Sequence, residues 1–177
     1  AYKKSIACTC INWACRLPYL RQKEKTFYYL NHGYKSKKKG IVIDQTMTAF
    51  DVGDEAMLLA DVAPTVVDPY RARGAQIAQK MGAKALIMDD GFQNPSLIKT
   101  LSFIVVDGKI GFGNNRMIPA GPLREPVDKG LMRADAVIIS GPDEQGIVEQ
   151  VKRINPELPI LTGHFEPDLK ILETYRD

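Results

Sequence analysis

From Gly40 onward the chain alternates short apolar runs rich in β-branched residues with stretches of helical period, and no other feature restricts its fold as strongly. The runs fall at residues 41–43, 65–67, 85–88, 103–106, 136–139 and 160–161. Their near-continuous apolar character is that of parallel strands covered on both faces. Between them, Asp68-Pro69 opens a helix whose apolar or small residues recur at Tyr70, Gly74, Ile77, Ala78 and Met81 before Gly82 closes it. Ile147, Val148, Val151 and Ile154 line one stripe of another helix, which stops before Pro156. Strand, helix and strand in this order predict an open α/β sheet with right-handed crossovers. Ligands of such sheets bind beyond the carboxyl ends of the strands, so the residues just after each apolar run are the first candidates for chemistry.

Charge divides the chain where the strand pattern begins. Of the 24 Lys/Arg and 21 Asp/Glu, residues 1–39 hold ten Lys/Arg and one Glu, a balance of +9; the remaining 14 and 20 give −6. The expected organisation is therefore an anomalous basic segment over 1–39 followed by a single α/β domain over 40–177. A chain of 177 residues is long enough to bury a sizeable core, and 45% hydrophobic with 25% charged residues excludes disordered, collagenous and disulfide-built classes. No apolar run reaches the ~18 residues of a membrane span. Cys8, Cys10 and Cys15 lack a C-x-x-C spacing, and His32 and His164 lack a metal spacing, so a reducing, cytoplasmic setting is expected. Lys35, Lys37, Lys38 and Lys39 read as a solvated turn, with attraction to anionic lipid head groups as the alternative. No motif points to nucleic acid.

Three segments carry candidate chemistry. Asp89 and Asp90 end an apolar run and precede Gly91-Phe92-Gln93, the shape of a Walker B element whose aspartate holds nucleotide-bound magnesium. Adjacent strand residues face opposite ways, so only one of the two points straight at the metal unless the strand has already ended. The plainer reading makes both of them solvated turn residues. Asp51-Val52-Gly53-Asp54-Glu55 opens a helical run, where acids serve as N-terminal caps or, for Asp54, as a base accepting a hydroxyl proton. Gly111-Phe112-Gly113-Asn114-Asn115 and the run from Pro119 through Gly121, Pro122, Arg124 and Glu125 to Pro126 form a long connection, punctuated enough to be ordered. Arg124 offers a phosphate fork beside Glu125, a metal or hydroxyl ligand; the alternative is a surface ion pair.

Taken in order, Val52-Gly53-Asp54-Glu55, Asp89-Asp90-Gly91-Phe92-Gln93, Val106-Asp107-Gly108, Gly111-Phe112-Gly113-Asn114 and the Pro119 to Pro126 run resemble the tetraacyldisaccharide 4′-kinases, the lipid A kinases of Gram-negative bacteria. The resemblance covers about Gly33 to about Leu172. It implies a P-loop-NTPase-like parallel sheet with helices on both faces. It also implies ATP- and magnesium-dependent phosphorylation of the 4′-hydroxyl of a tetraacyldisaccharide 1-phosphate at the cytoplasmic face of the inner membrane, by a peripheral enzyme. The roles it implies are Asp54 as catalytic base, Asp89 and Asp90 as the Walker B pair, Glu125 with Asp89 toward the metal, and Gln93, Asn114 and Arg124 toward substrate. Departures accompany it: Glu24 precedes Lys25-Thr26 where a phosphate loop has glycine, His32 stands where arginine is usual, and Asn94 replaces histidine. The expectation is thus a kinase core whose N-terminal phosphate loop and C-terminal domain are missing, inactive alone, through a truncated or frame-disrupted reading of an ordinary kinase gene, with the loop encoded upstream of Ala1. The rival expectations are a non-catalytic acceptor- or nucleotide-binding remnant and a partly folded product whose first 39 residues are disordered.

Overall fold

The computed structural model of the chain describes residues 27–164. Cys8, Cys10, Trp13, Cys15, Lys25-Thr26 and the end of the family resemblance near Leu172 lie outside the described residues. The chain divides into two compact units with the boundary between Thr100 and Leu101.

The first unit is built on a sheet in the order β2-β3-β1-β4, from β1 (Phe27–Asn31), β2 (Ile41–Val42), β3 (Thr65–Val67) and β4 (Ala85–Met88). Its helices are α1 (Ala49–Val52), α2 (Asp54–Ala60) and α3 (Arg71–Lys80). β1 runs parallel to β3 on one side and to β4 on the other. All five β1 residues are buried, and their alternation explains why. Phe27 and Tyr29 share one face, their rings 5.8 Å apart and edge-on, and pack with Leu59 of α2 and Ala63 just beyond it. Tyr28 and Leu30 take the other face, with Val66 and with Ala78 of α3. Helices therefore cover both faces, as expected. Each large side chain buried this way contributes roughly 1.5–3 kcal/mol.

Two expectations change here. The basic segment set apart by its charge supplies the strand between β3 and β4, because five buried residues decide a strand while the lysines at 35–39 lie in the turn after it. Ile41–Val42 is an antiparallel edge strand rather than a covered parallel one. The turn leaving Asn31 re-enters the sheet at that same end, where Gly40 N–H donates to Val67 O at 2.8 Å, so the next strand must run back.

The second unit carries a parallel sheet in the order β5-β6-β7, from β5 (Phe103–Asp107), β6 (Ala136–Ser140) and β7 (Ile160–Gly163), with helices α4 (Val127–Leu131) and α5 (Ile147–Ile154). Ile104, Val106, Val137 and Ile139 are buried, as are Leu131, Ile147 and Val151. Asp143 fixes the start of α5 by accepting from the N–H groups of Ile147 (2.7 Å) and Val148 (2.9 Å), which holds its carboxyl below the usual range despite the opposing pull of desolvation. β7 departs from the expected double cover: Leu161 at this edge is exposed. The architecture is α/β with parallel strands, as the sequence order predicts, and the strands are shared between two sheets.

Candidate active site at the carboxyl ends of the first sheet

β1 and β4 are parallel with Leu30 opposite Met88, so their carboxyl ends coincide and the next residues, Asn31 and Asp89, are neighbours. Asn31 Nδ2 donates to Asp89 Oδ2 at 2.9 Å, and Asn31 Oδ1 accepts from Gly33 N–H at 2.7 Å. Both ends of the amide are thus engaged, which fixes its orientation. The neighbouring end of β3 joins them: Asp68 N–H donates to Asn31 O at 3.0 Å. The buried Asp68 carboxylate accepts from Tyr70 N–H (2.7 Å) and from Arg73 Nε (2.6 Å). It therefore holds the turn entering α3, whose N-cap is Tyr70, two residues after the Asp68 at which the sequence predicts the helix to open.

Asp89 is buried while Asp90 is exposed with φ 52, in the left-handed region after the strand has ended. Of the two acids, the one facing inward is Asp89. Burial first, then the negative charges of Glu55 and Asp90, push the Asp89 carboxyl up to about 6, against the opposing pull of Arg71 and of the Asn31 hydrogen bond. Its ionised form at neutral pH is held at a cost that a bound cation would relieve.

The acids of residues 51–55 separate by role. Asp51 accepts from Thr48 N–H at 3.1 Å and Thr48 Oγ1 at 3.0 Å, closing a capping box on α1, and these bonds lower its carboxyl. Gly53, at φ 90, then lets the chain leave α1 and begin α2 within one residue. Asp54 and Glu55 occupy the first turn of α2, exposed, with the Glu55 charge reaching Asp89. Gln93 is half-buried beside buried Phe92. Asn94 accepts from Ser96 N–H and Ser96 Oγ, which makes it a turn residue.

Asn114, Arg124 and Glu125 belong to the second unit. Asn114 closes the loop on itself, donating from Nδ2 to Ala120 O at 2.9 Å and accepting from Arg116 N–H at 3.1 Å. Met117 bridges to Leu123, and the Ile118–Pro119 peptide is cis. The loop's own hydrogen bonds account for its order. Arg124 is exposed, whereas Glu125 accepts a two-pronged ion pair from Arg133, with Nη1 at 2.6 Å and Nη2 at 3.0 Å.

Asn31 and Arg71 are site residues outside the motifs, and Glu55, though part of one, has no role of its own in it. Asn31 follows from the rule applied to the other strands, once Phe27 to Leu30 is recognised as one. Arg71 carries no local signal, since its partners are 18 and 41 residues away.

Among the described residues no group of three or more His, Cys, Asp or Glu is arranged to hold a metal. Magnesium in phosphoryl-transfer sites takes one or two carboxylates plus phosphate oxygens, so the acidic surroundings of Asp89 fit that kind of ion.

The family profile described as Tetraacyldisaccharide-1-P 4′-kinase matches residues 14–176. The chain belongs to the tetraacyldisaccharide 4′-kinase family. Proteins named Tetraacyldisaccharide 4′-kinase are similar to it: that of Rhodospirillum rubrum is 46% identical over 84% of this chain and 46% of its own length. That of Paramagnetospirillum magneticum is 47% identical over 79% and 43%, and that of Azorhizobium caulinodans 53% identical over 81% and 42%. The chain thus spans less than half the length of these kinase relatives. No solved structure matches it significantly. Among the described residues, no helix is long and apolar enough to cross a membrane.

Proposed function

We propose that this chain serves ATP-dependent phosphorylation of the 4′-hydroxyl of tetraacyldisaccharide 1-phosphate, the lipid A precursor, with magnesium, at the cytoplasmic face of the inner membrane as a peripheral protein. The observation that carries the reading is Asp89: a buried carboxylate at a parallel strand end, held by Asn31 and pushed toward neutrality by burial and by Glu55 and Asp90. A position beyond the carboxyl ends of parallel strands is where such sheets place phosphate chemistry.

In this reading Asp89 is the magnesium ligand, and Asp90 is the solvent-side member of the pair. Magnesium, when bound with nucleotide, neutralises charge on the phosphate oxygens. Asp54 accepts the proton of the sugar hydroxyl on a carboxylate oxygen, from a first-turn position that leaves it exposed to an incoming acceptor. Gln93, Asn114 and Arg124 are assigned to substrate, with Arg124 supplying the phosphate fork. The family resemblance assigns Glu125 toward the metal; within its own unit it is paired with Arg133.

Binding reads this site directly. Isothermal titration of a non-hydrolysable ATP analogue with magnesium, and of the disaccharide acceptor, is expected to show both ligands bound, with Asp89→Asn weakening the magnesium nucleotide and Asp54→Asn leaving it unchanged. Acceptor binding with no nucleotide binding contradicts the proposal.

A further inference from the structure

Arg71 is buried at the first residue of α3, and its two terminal nitrogens donate to carbonyls on different strands: Nη1 to Leu30 O of β1 and Nη2 to Asp89 O at the end of β4, each at 2.5 Å. Burying a guanidinium is costly unless its donors find acceptors, and here two strand-end carbonyls each accept one. Leu30 O also accepts from Asp89 N–H at 3.2 Å, so guanidinium, Leu30 and Asp89 close a ring around the Asp89 peptide. From that fixed peptide the carboxylate reaches Asn31 Nδ2. Asp89 is therefore held twice, through its main chain by Arg71 and through its side chain by Asn31.

We infer that Arg71 is a positioning residue: its planar fork clamps the ends of β1 and β4 together so that the Asp89 carboxylate is presented ready to take nucleotide-bound magnesium. This rests on the proposed role of Asp89 as the magnesium ligand. Arginine suits the task because its donors diverge in a rigid plane matched to two separate acceptors; the point charge of lysine does not reproduce that span. Partners that orient a metal ligand typically matter about 10–100-fold in metal affinity.

The test titrates a fluorescent ATP analogue into the chain, once with EDTA and once with excess magnesium, for the native protein, Arg71→Lys, Asp89→Asn and the double variant. The readout is the ratio of the two affinities. A merely structural arginine would weaken both and leave the ratio alone. The expected result is a ratio lowered about tenfold in Arg71→Lys and abolished in Asp89→Asn, with metal-free affinity retained and the double variant no worse than Asp89→Asn. Should the lysine variant unfold, as judged by circular dichroism, Arg71→Gln is scored in the same way. A ratio lost in Asp89→Asn but intact in the Arg71 variant overturns this inference alone, as does an equal loss of both affinities. A ratio intact in Asp89→Asn, or no magnesium enhancement in the native protein, removes the Asp89 reading and the inference with it.

Discussion

Replacing Asp89 by asparagine is expected to flatten the pH dependence of stability that this carboxylate imposes. The folded carboxyl is pushed up to about 6 from an ordinary value of 3.8, foremost by burial. A raised carboxyl leaves its contribution to stability fully present below about pH 4 and loses it as the pH climbs through about 6. A shift of about two units corresponds to roughly 3 kcal/mol between those limits. The substituted amide keeps an acceptor for Asn31 Nδ2 while removing the ionisation, so the geometry at the strand ends changes little. Urea denaturation followed by circular dichroism, for both proteins from pH 4 to pH 7.5, measures the difference. The variant should gain on the native protein by roughly 2.5 kcal/mol across that window, nearly all of it between pH 4 and 7. If the two curves run parallel, the Asp89 carboxylate is not held at a cost and the electrostatic argument for a bound cation fails.

Three further substitutions test local packing, two in the first unit and one in the loop of the second. Asn31→Ala removes the donor to Asp89 and the acceptor of Gly33 N–H, and should cost about 1–3 kcal/mol in urea; an unchanged midpoint would show that the strand ends do not depend on this amide. Gly121→Ala would drive a Cβ into Asn114 Oδ1 and Arg116 O, so the loop should open and become sensitive to limited proteolysis between residues 113 and 124. Gly74→Ala offers about 1 kcal/mol of helix propensity, yet its Cβ would collide with Leu30 Cδ1, so the melting temperature should fall rather than rise.

The strands of aliphatic, β-branched residues were legible from the sequence as near-continuous apolar runs: residues 65–67, 85–88, 103–106 and 136–139 are all strands, none of their apolar side chains fully exposed. β1 was hidden by its company. Phe27-Tyr28-Tyr29-Leu30 is aromatic rather than aliphatic, and it lies among the charges that set residues 1–39 apart. With β1 goes Asn31, whose importance comes from its register beside Asp89 and not from any local motif. The direction of β2 was equally illegible, since it depends on where the turn from Asn31 returns to the sheet. In the loop, the alternation of Gly and Pro announced order, but not that Asn114 would spend its amide on holding the loop or that Arg133 would grip Glu125. Asp89 and Asp90 were visible as a pair; which one faces inward required the strand to end between them.

In the proposed reading, the carboxyl ends of β1 and β4 take nucleotide-bound metal, and every assigned role depends on that. Manganese is paramagnetic and substitutes for magnesium, so it broadens the amide signals of residues close to it. Manganese with ATP added to the 15N-labelled chain should bleach Asn31, Glu55, Asp89 and Asp90 at substoichiometric metal and leave them sharp in Asp89→Asn. Broadening centred elsewhere, or unchanged by that substitution, would contradict the account.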